Sequence, residues 1–138
     1  MKDIAYVALG SNIGRREVFL ADARAAIASL PHTTVLAETE VAETAPIGPV
    51  AQSPFLNQMI AVETELSPLD LLSALQGIEQ SAGRTRDLRW GPRTLDLDIV
   101  LFEQQTAAEP NLSIPHPELP NRDFWQRDLA QLRASAVD

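Results

Sequence analysis

Two aspartates separated by a single leucine, Asp96 and Asp98, interrupt an otherwise apolar run. Leu95, Leu97, Ile99 and Leu101 alternate with Asp96, Asp98, Val100 and Phe102, so residues 95–102 are expected to be a strand with both carboxylates on one face. At about 3.3 Å rise per residue the two Cα atoms stand roughly 6 to 7 Å apart, close enough for both carboxylates to converge on one cation or an adjacent pair. Like charges on one face repel, and strands tolerate aspartate poorly. A divalent metal would compensate both. Just upstream, Arg84, Arg86, Arg89 and Arg93 bring four of the ten arginines of the chain into one short stretch. Oxygen ligands for a hard cation beside guanidinium forks that match phosphate oxygens are the chemistry of a metal-nucleotide site.

The remaining composition bounds the function. A chain of 138 residues buries enough surface for one core, and a single domain over residues 1–138 is expected. Its net charge of -8 makes it a poor partner for nucleic acid, which is held by neutralising many phosphates, whereas a small phosphorylated ligand needs only the local arginine cluster. The absence of cysteine removes disulfides, thiolate metal sites and cysteine nucleophiles, and agrees with a cytoplasmic setting. The apolar run near the N-terminus is too short for a membrane span and is followed by no cleavage pattern, so neither export nor membrane insertion is expected.

The elements that must position these residues follow from periodicity. Residues 4–9 read as a buried strand ending in the turn Gly10-Ser11-Asn12-Ile13-Gly14, which lacks the lysine of a P-loop and the spacing of a dinucleotide fingerprint. Phe19, Ala23, Ala26, Ile27 and Leu30 recur at helical spacing over about 15–30, and Pro31 stops the helix. Val35, Ala37, Thr39 and Val41 alternate as a second strand, leading into the Pro- and Gly-rich loop from Thr44 to Pro49. Residues 55–66 form a third strand with Phe55 and Asn57 on one face. Ser67-Pro68 then opens a helix whose core face is Leu71, Leu72, Leu75, Ile78 and Ala82, with Gln76 and Glu79 on its flank and Gly83 at its end. After the aspartate strand come a short segment ending at Ile114, the rigid Pro115-His116-Pro117, and an amphipathic helix over about 121–132. Strand, helix, strand, strand, helix, strand is the split βαβ order of a ferredoxin-like α+β domain, a mainly antiparallel sheet with helices packed on it. That architecture serves enzymes and RNA-binding modules alike.

The block RWGPRTLDLDIVLF, the Thr-x-Pro-x-Gly loop from Thr44, the tripeptide Phe55-Leu56-Asn57 and the segment Ile114-Pro115-His116 resemble the 6-hydroxymethyl-7,8-dihydropterin pyrophosphokinase family of folate biosynthesis. The resemblance covers most of the chain and implies a ferredoxin-like enzyme, working as a monomer on ATP and the dihydropterin. It implies transfer of diphosphate from ATP to the pterin hydroxymethyl group with release of AMP. Residue by residue, it implies that Asp96 and Asp98 bind two Mg2+ ions on the triphosphate, and that Arg84, Arg93 and His116 contact its oxygens. Gln76, Glu79 and Arg122 fall on the nucleotide side, and Trp90 on a loop that closes over it. Thr44, Pro46, Ile47 and Asn57 present polar groups to the pterin, and Phe55 and Phe124 sandwich its ring.

Overall fold

A computed structural model describes residues 2–12, 15–45, 54–82 and 95–136. The expectations for Pro46, Ile47, Arg84, Arg86, Arg89, Trp90 and Arg93 lie outside these residues.

Five strands build one antiparallel sheet: β1 (Asp3–Ser11), β2 (Thr33–Glu38), β3 (Ala42–Thr44), β4 (Phe55–Thr64) and β5 (Asp96–Phe102). The order across it is β2-β4-β1-β5, with β3 also paired to β4. This is the split βαβ arrangement: β4 inserts between β1 and β2, which α1 (Arg16–Ala28) joins, and β1 separates β4 from β5, which α2 (Pro68–Ser81) joins. A small hairpin of β6 (Ala107–Glu109) and β7 (Leu112–Ile114), a 3-10 turn (Leu119–Asn121) and α3 (Asp123–Ala136) complete the described chain.

Strand alternation sorts the side chains onto two faces. Ala5, Val7 and Leu9 of β1, Ile60 and Val62 of β4, and Leu97 and Ile99 of β5 pack with Leu20, Ala23 and Ile27 of α1 and with Leu71 and Leu75 of α2. Tyr6, Ala8, Met59, Ala61 and Val100 face the other way, against Trp125, Leu129 and Leu132 of α3. The central strand β1 is therefore buried on both sides, which is why its sequence reads as a nearly continuous apolar run. Helix α2 starts where its sequence says: the Ser67 side chain accepts the Asp70 backbone N–H at 3.1 Å, and Pro68 occupies the first turn, where its missing N–H costs nothing.

Three local expectations change. The regular alternation of β5 breaks at a bulge, since Tyr6 pairs with Leu101 while Val7 pairs with Ile99. The extra residue turns Leu101 to the α3 side and Phe102 to the α1/α2 side, the reverse of strict period two. The second predicted strand is broken. A register shift lies between Val35 and Ala37, and β2 ends at Glu38. Thr39 turns inward instead, its Oγ1 accepting the Met59 N–H at 3.0 Å and its carbonyl accepting Gln58 Nε2 at 2.7 Å, while Val41 is left exposed. Finally, Glu79 is buried, not solvated on a flank. It continues the line Leu71, Leu75, Glu79 at steps of four, so the helical period itself carries it inside.

Candidate active site

The α3 face is apolar over only part of its length. Beyond Ala8 and Met59, the strands present Asp98, then a row formed by Asn57 on β4, Gly10 on β1 and Asp96 on β5. Phe55 follows Asn57 on the same face, paired with Thr44 of β3. Thus the two aspartates expected to share a face do so, and the tertiary fold brings Asn57, Phe55 and Thr44 to the same end of the sheet. The amide of Asn57 is oriented by donating from Nδ2 to Thr44 Oγ1. That bond links two of the residues assigned to one ligand and leaves Oδ1 directed over Gly10, where an added β-carbon would meet it.

His116 arrives from the C-terminal segment. Its backbone N–H donates to the carbonyl of Val100 at 2.9 Å, at the β5 bulge, so the irregularity in the strand is where the histidine docks. The Ile114–Pro115 peptide preceding it is cis. The imidazole Nδ1 accepts the backbone N–H of Glu118 at 3.0 Å, which leaves the ring proton on Nε2. Nε2 stands 3.6 Å from Asp98 Oδ1, too long for a direct hydrogen bond but near enough for one oxygen-rich ligand to touch both. The ring meets Trp125 edge-on at 4.9 Å between centroids, and the Arg122 guanidinium lies over the same indole at 4.3 Å. Arg122 Nε is buried and meets no hydrogen-bond partner among the described residues. Phe124 packs at the margin of the α3 cluster, its ring 6.2 Å from that of Trp125.

On the far edge of β5, Glu79 Oε2 accepts the backbone N–H of Leu97 at 2.8 Å. Leu97 lies between the two aspartates, so the buried carboxylate of α2 holds the strand that carries them. Gln76 is half-buried one turn earlier on α2. Two contributors to the site are missing from the sequence expectations. Trp125 serves as the platform for His116 and Arg122; its i, i+3 spacing from Arg122 was the available signal. Gly10 lies between Asn57 and Asp96 in the sheet, and its place at the start of an undistinguished turn gave little signal of that.

Chemically, an imidazole N–H and a guanidinium can orient the oxygens of a polyphosphate, while two carboxylates on one face can hold the divalent cation that would neutralise it. An amide beside an aromatic ring can hold a flat, polar heterocycle. Among the described residues no three His, Cys, Asp or Glu side chains converge as a protein-only metal cage. An open pair of carboxylates suits Mg2+, which keeps waters and substrate phosphates among its ligands.

The profile of the family described as 7,8-dihydro-6-hydroxymethylpterin-pyrophosphokinase (HPPK) matches residues 6–134. A Bacillus subtilis protein named 2-amino-4-hydroxy-6-hydroxymethyldihydropteridine pyrophosphokinase is 44% identical over 132 residues, covering 96% of this chain and 79% of that protein. A Pseudomonas aeruginosa protein of the same name is 47% identical over 127 residues, covering 92% of this chain and 78% of that protein. Among solved structures, wild-type Plasmodium falciparum HPPK-DHPS with pteroate matches with a TM-score of 0.67 at 16% identity, over 91% of this chain and 38% of that one, a likeness of fold. From a profile match over nearly its whole length and relatives at this level of identity, the chain belongs to the HPPK family.

Proposed function

We propose that the chain catalyses the reaction for which its family is named: diphosphate passes from ATP to the hydroxymethyl group of 6-hydroxymethyl-7,8-dihydropterin, in folate biosynthesis. The alcohol oxygen attacks the β phosphorus, the bond from that phosphorus to the α–β bridging oxygen breaks, AMP leaves with the bridging oxygen, and the alcohol proton is released. The observation that supports this reading is the row Asn57, Gly10, Asp96 with Asp98 alongside, a side-chain amide and a carboxylate pair on one face at one end of the sheet, an arrangement suited to a polar heterocycle beside a metal-bound phosphate.

Asp96 and Asp98 would hold two Mg2+ ions, which supply charge neutralisation on the triphosphate and fix its geometry for in-line transfer. His116, with its proton on the Nε2 facing Asp98, donates to a phosphate oxygen, and Arg122 is held against Trp125 for the same ligand. Arg84 and Arg93 add charge there, Gln76 and Glu79 lie on the nucleotide side, and Trp90 belongs to the segment that covers it. Phe55 and Phe124 enclose the pterin ring, while Asn57, Thr44, Pro46 and Ile47 bond its edges. Because transfer of this kind asks the protein mainly for alignment and neutralisation, such a set is sufficient without a covalent intermediate. We further infer one domain acting as a monomer in the cytoplasm, where ATP is supplied, and binding neither nucleic acid nor membrane. The net charge of -8 supports the former, and among the described residues no helix is long and apolar enough to cross a membrane.

The test is an assay with ATP, Mg2+ and the hydroxymethyl-dihydropterin. AMP should appear in step with pterin diphosphate; ADP as the nucleotide product, or no turnover, would overturn the reading.

A further inference from the structure

Gly10 pairs with Asn57 on one side and with Asp96 on the other, so the three residues form a row across the sheet. With neighbouring strands about 4.8 Å apart, the Cα atoms of Asn57 and Asp96 are separated by roughly 10 Å. A ligand held by Asn57 at one end and offering a hydroxyl on the Asp96 side has to cross Gly10. The glycine sits within regular β1, in a backbone conformation open to any residue. Glycine inside a strand weakens it and commonly marks a close approach by something else. Here a β-carbon would stand 3.3 Å from Asn57 Oδ1 and 3.4 Å from Phe55 Cδ1, so the amide and the aromatic ring both lean over the space that the missing side chain leaves. Two residues earlier on the same face, Ala8 carries its β-carbon against α3 without difficulty.

We infer that Gly10 is a specificity-determining residue: the bare backbone is the floor on which a flat bicyclic heterocycle passes from Asn57 to the metal-binding aspartates. This rests on the function proposed above. A methyl group at position 10 raises that floor by about 1.5 Å, one carbon–carbon bond. The ring then cannot keep its edge on Asn57 and its hydroxymethyl arm at the reacting position together, and misplacement of about 1 Å can cost on the order of 10²-fold in rate.

Gly10→Ala tests this against Gly77→Ala, a glycine on α2 with nothing within 4 Å of its added β-carbon. Calorimetry would measure dihydropterin binding in the presence of Mg2+ and a non-hydrolysable ATP analogue, binding of the analogue itself, and the thermal midpoint. Gly10→Ala should weaken pterin binding at least tenfold, leave analogue binding within twofold and keep its midpoint, while Gly77→Ala leaves both affinities as they are. Unchanged pterin affinity in Gly10→Ala, an equal loss for both ligands, or a large drop in midpoint showing that the space serves packing, would each overturn the inference. If the unmodified protein binds ATP analogue but no pterin, it is the proposed function that fails, and the inference falls with it.

Discussion

Against α1 and α2, the sheet presents Val7, Leu9, Ile60, Val62, Leu97 and Ile99, with apolar helix residues covering them. Against α3, the same strands present Tyr6, Ala8, Met59, Ala61 and Val100, and then Gly10, Asn57, Asp96 and Asp98. Two helices close the first face. One helix crosses the second, tied at its far end by Arg133, which donates to Glu103 at 2.6 and 3.2 Å, while Glu103 also accepts the Tyr6 hydroxyl at 2.9 Å. Its near end carries Phe124 and Trp125 to the margin of the polar row. In β1, β4 and β5 one face therefore serves packing throughout, while the other packs under α3 and carries the candidate site residues only at its end, so the packed parts hold that end in geometry.

If that division is right, damage on the two faces should show in different measurements. The largest effect on stability is expected on the closed face. Ile60→Ala, at a fully buried site, should cost about 2 to 5 kcal/mol in urea unfolding, while the molecules still folded keep their turnover. Loss of turnover without loss of stability would erase the distinction. On the second face, Asp96→Asn and Asp98→Asn should each lower turnover at least 10²-fold, about 2.7 kcal/mol of barrier, while the protein stays folded in thermal unfolding because like-charge repulsion between the two is also relieved. Full activity in either variant would remove the metal assignment.

Smaller changes divide the second face itself. Phe55→Ala and Phe124→Ala should weaken pterin binding by about 1 kcal/mol or more each while nucleotide binding changes little, and calorimetry showing the loss on the nucleotide side would reverse the two subsites. The smallest effect is confined to alkaline solution. Burial, reinforced by the hydrogen bond to Glu103, pushes the Tyr6 hydroxyl up to about 12. A raised value means that the folded state favours the neutral phenol, so this contribution is complete below the ordinary value of 10 and is lost as pH rises from there through about 12. Tyr6→Phe should make the midpoint less steeply pH-dependent in that window; an unchanged slope would show that another group governs it.

Much of this was legible along the chain. The apolar run of β1, the alternation at the start of β5, the Ser67-Pro68 helix start and the same-face placement of Asp96 and Asp98 follow from the stereochemistry of neighbouring residues, so the α+β order and the carboxylate pair were readable without the fold. The resemblance carried by RWGPRTLDLD and Ile114-Pro115-His116 supplied the reaction. The rest depends on partners distant in sequence. No local pattern places Thr39 under Met59, because that inward turn exists only once β4 offers its N–H. Leu101 and Phe102 exchange faces because pairing with β1 inserts a bulge, and the freed geometry there is where His116 docks on Val100. Glu79 looked like a solvated helix residue until the edge strand supplied Leu97 N–H as the bond that lets a carboxylate be buried. Gly10 acquires meaning only between Asn57 and Asp96, residues 47 and 86 positions away in the chain. Periodicity is a property of adjacent residues, so the sequence by itself determined which side chains share a face wherever a strand runs without a bulge, as at Asp96 and Asp98. Register, bulges and the satisfaction of buried polar groups are decided between segments, so only the tertiary structure determined which of those side chains meet.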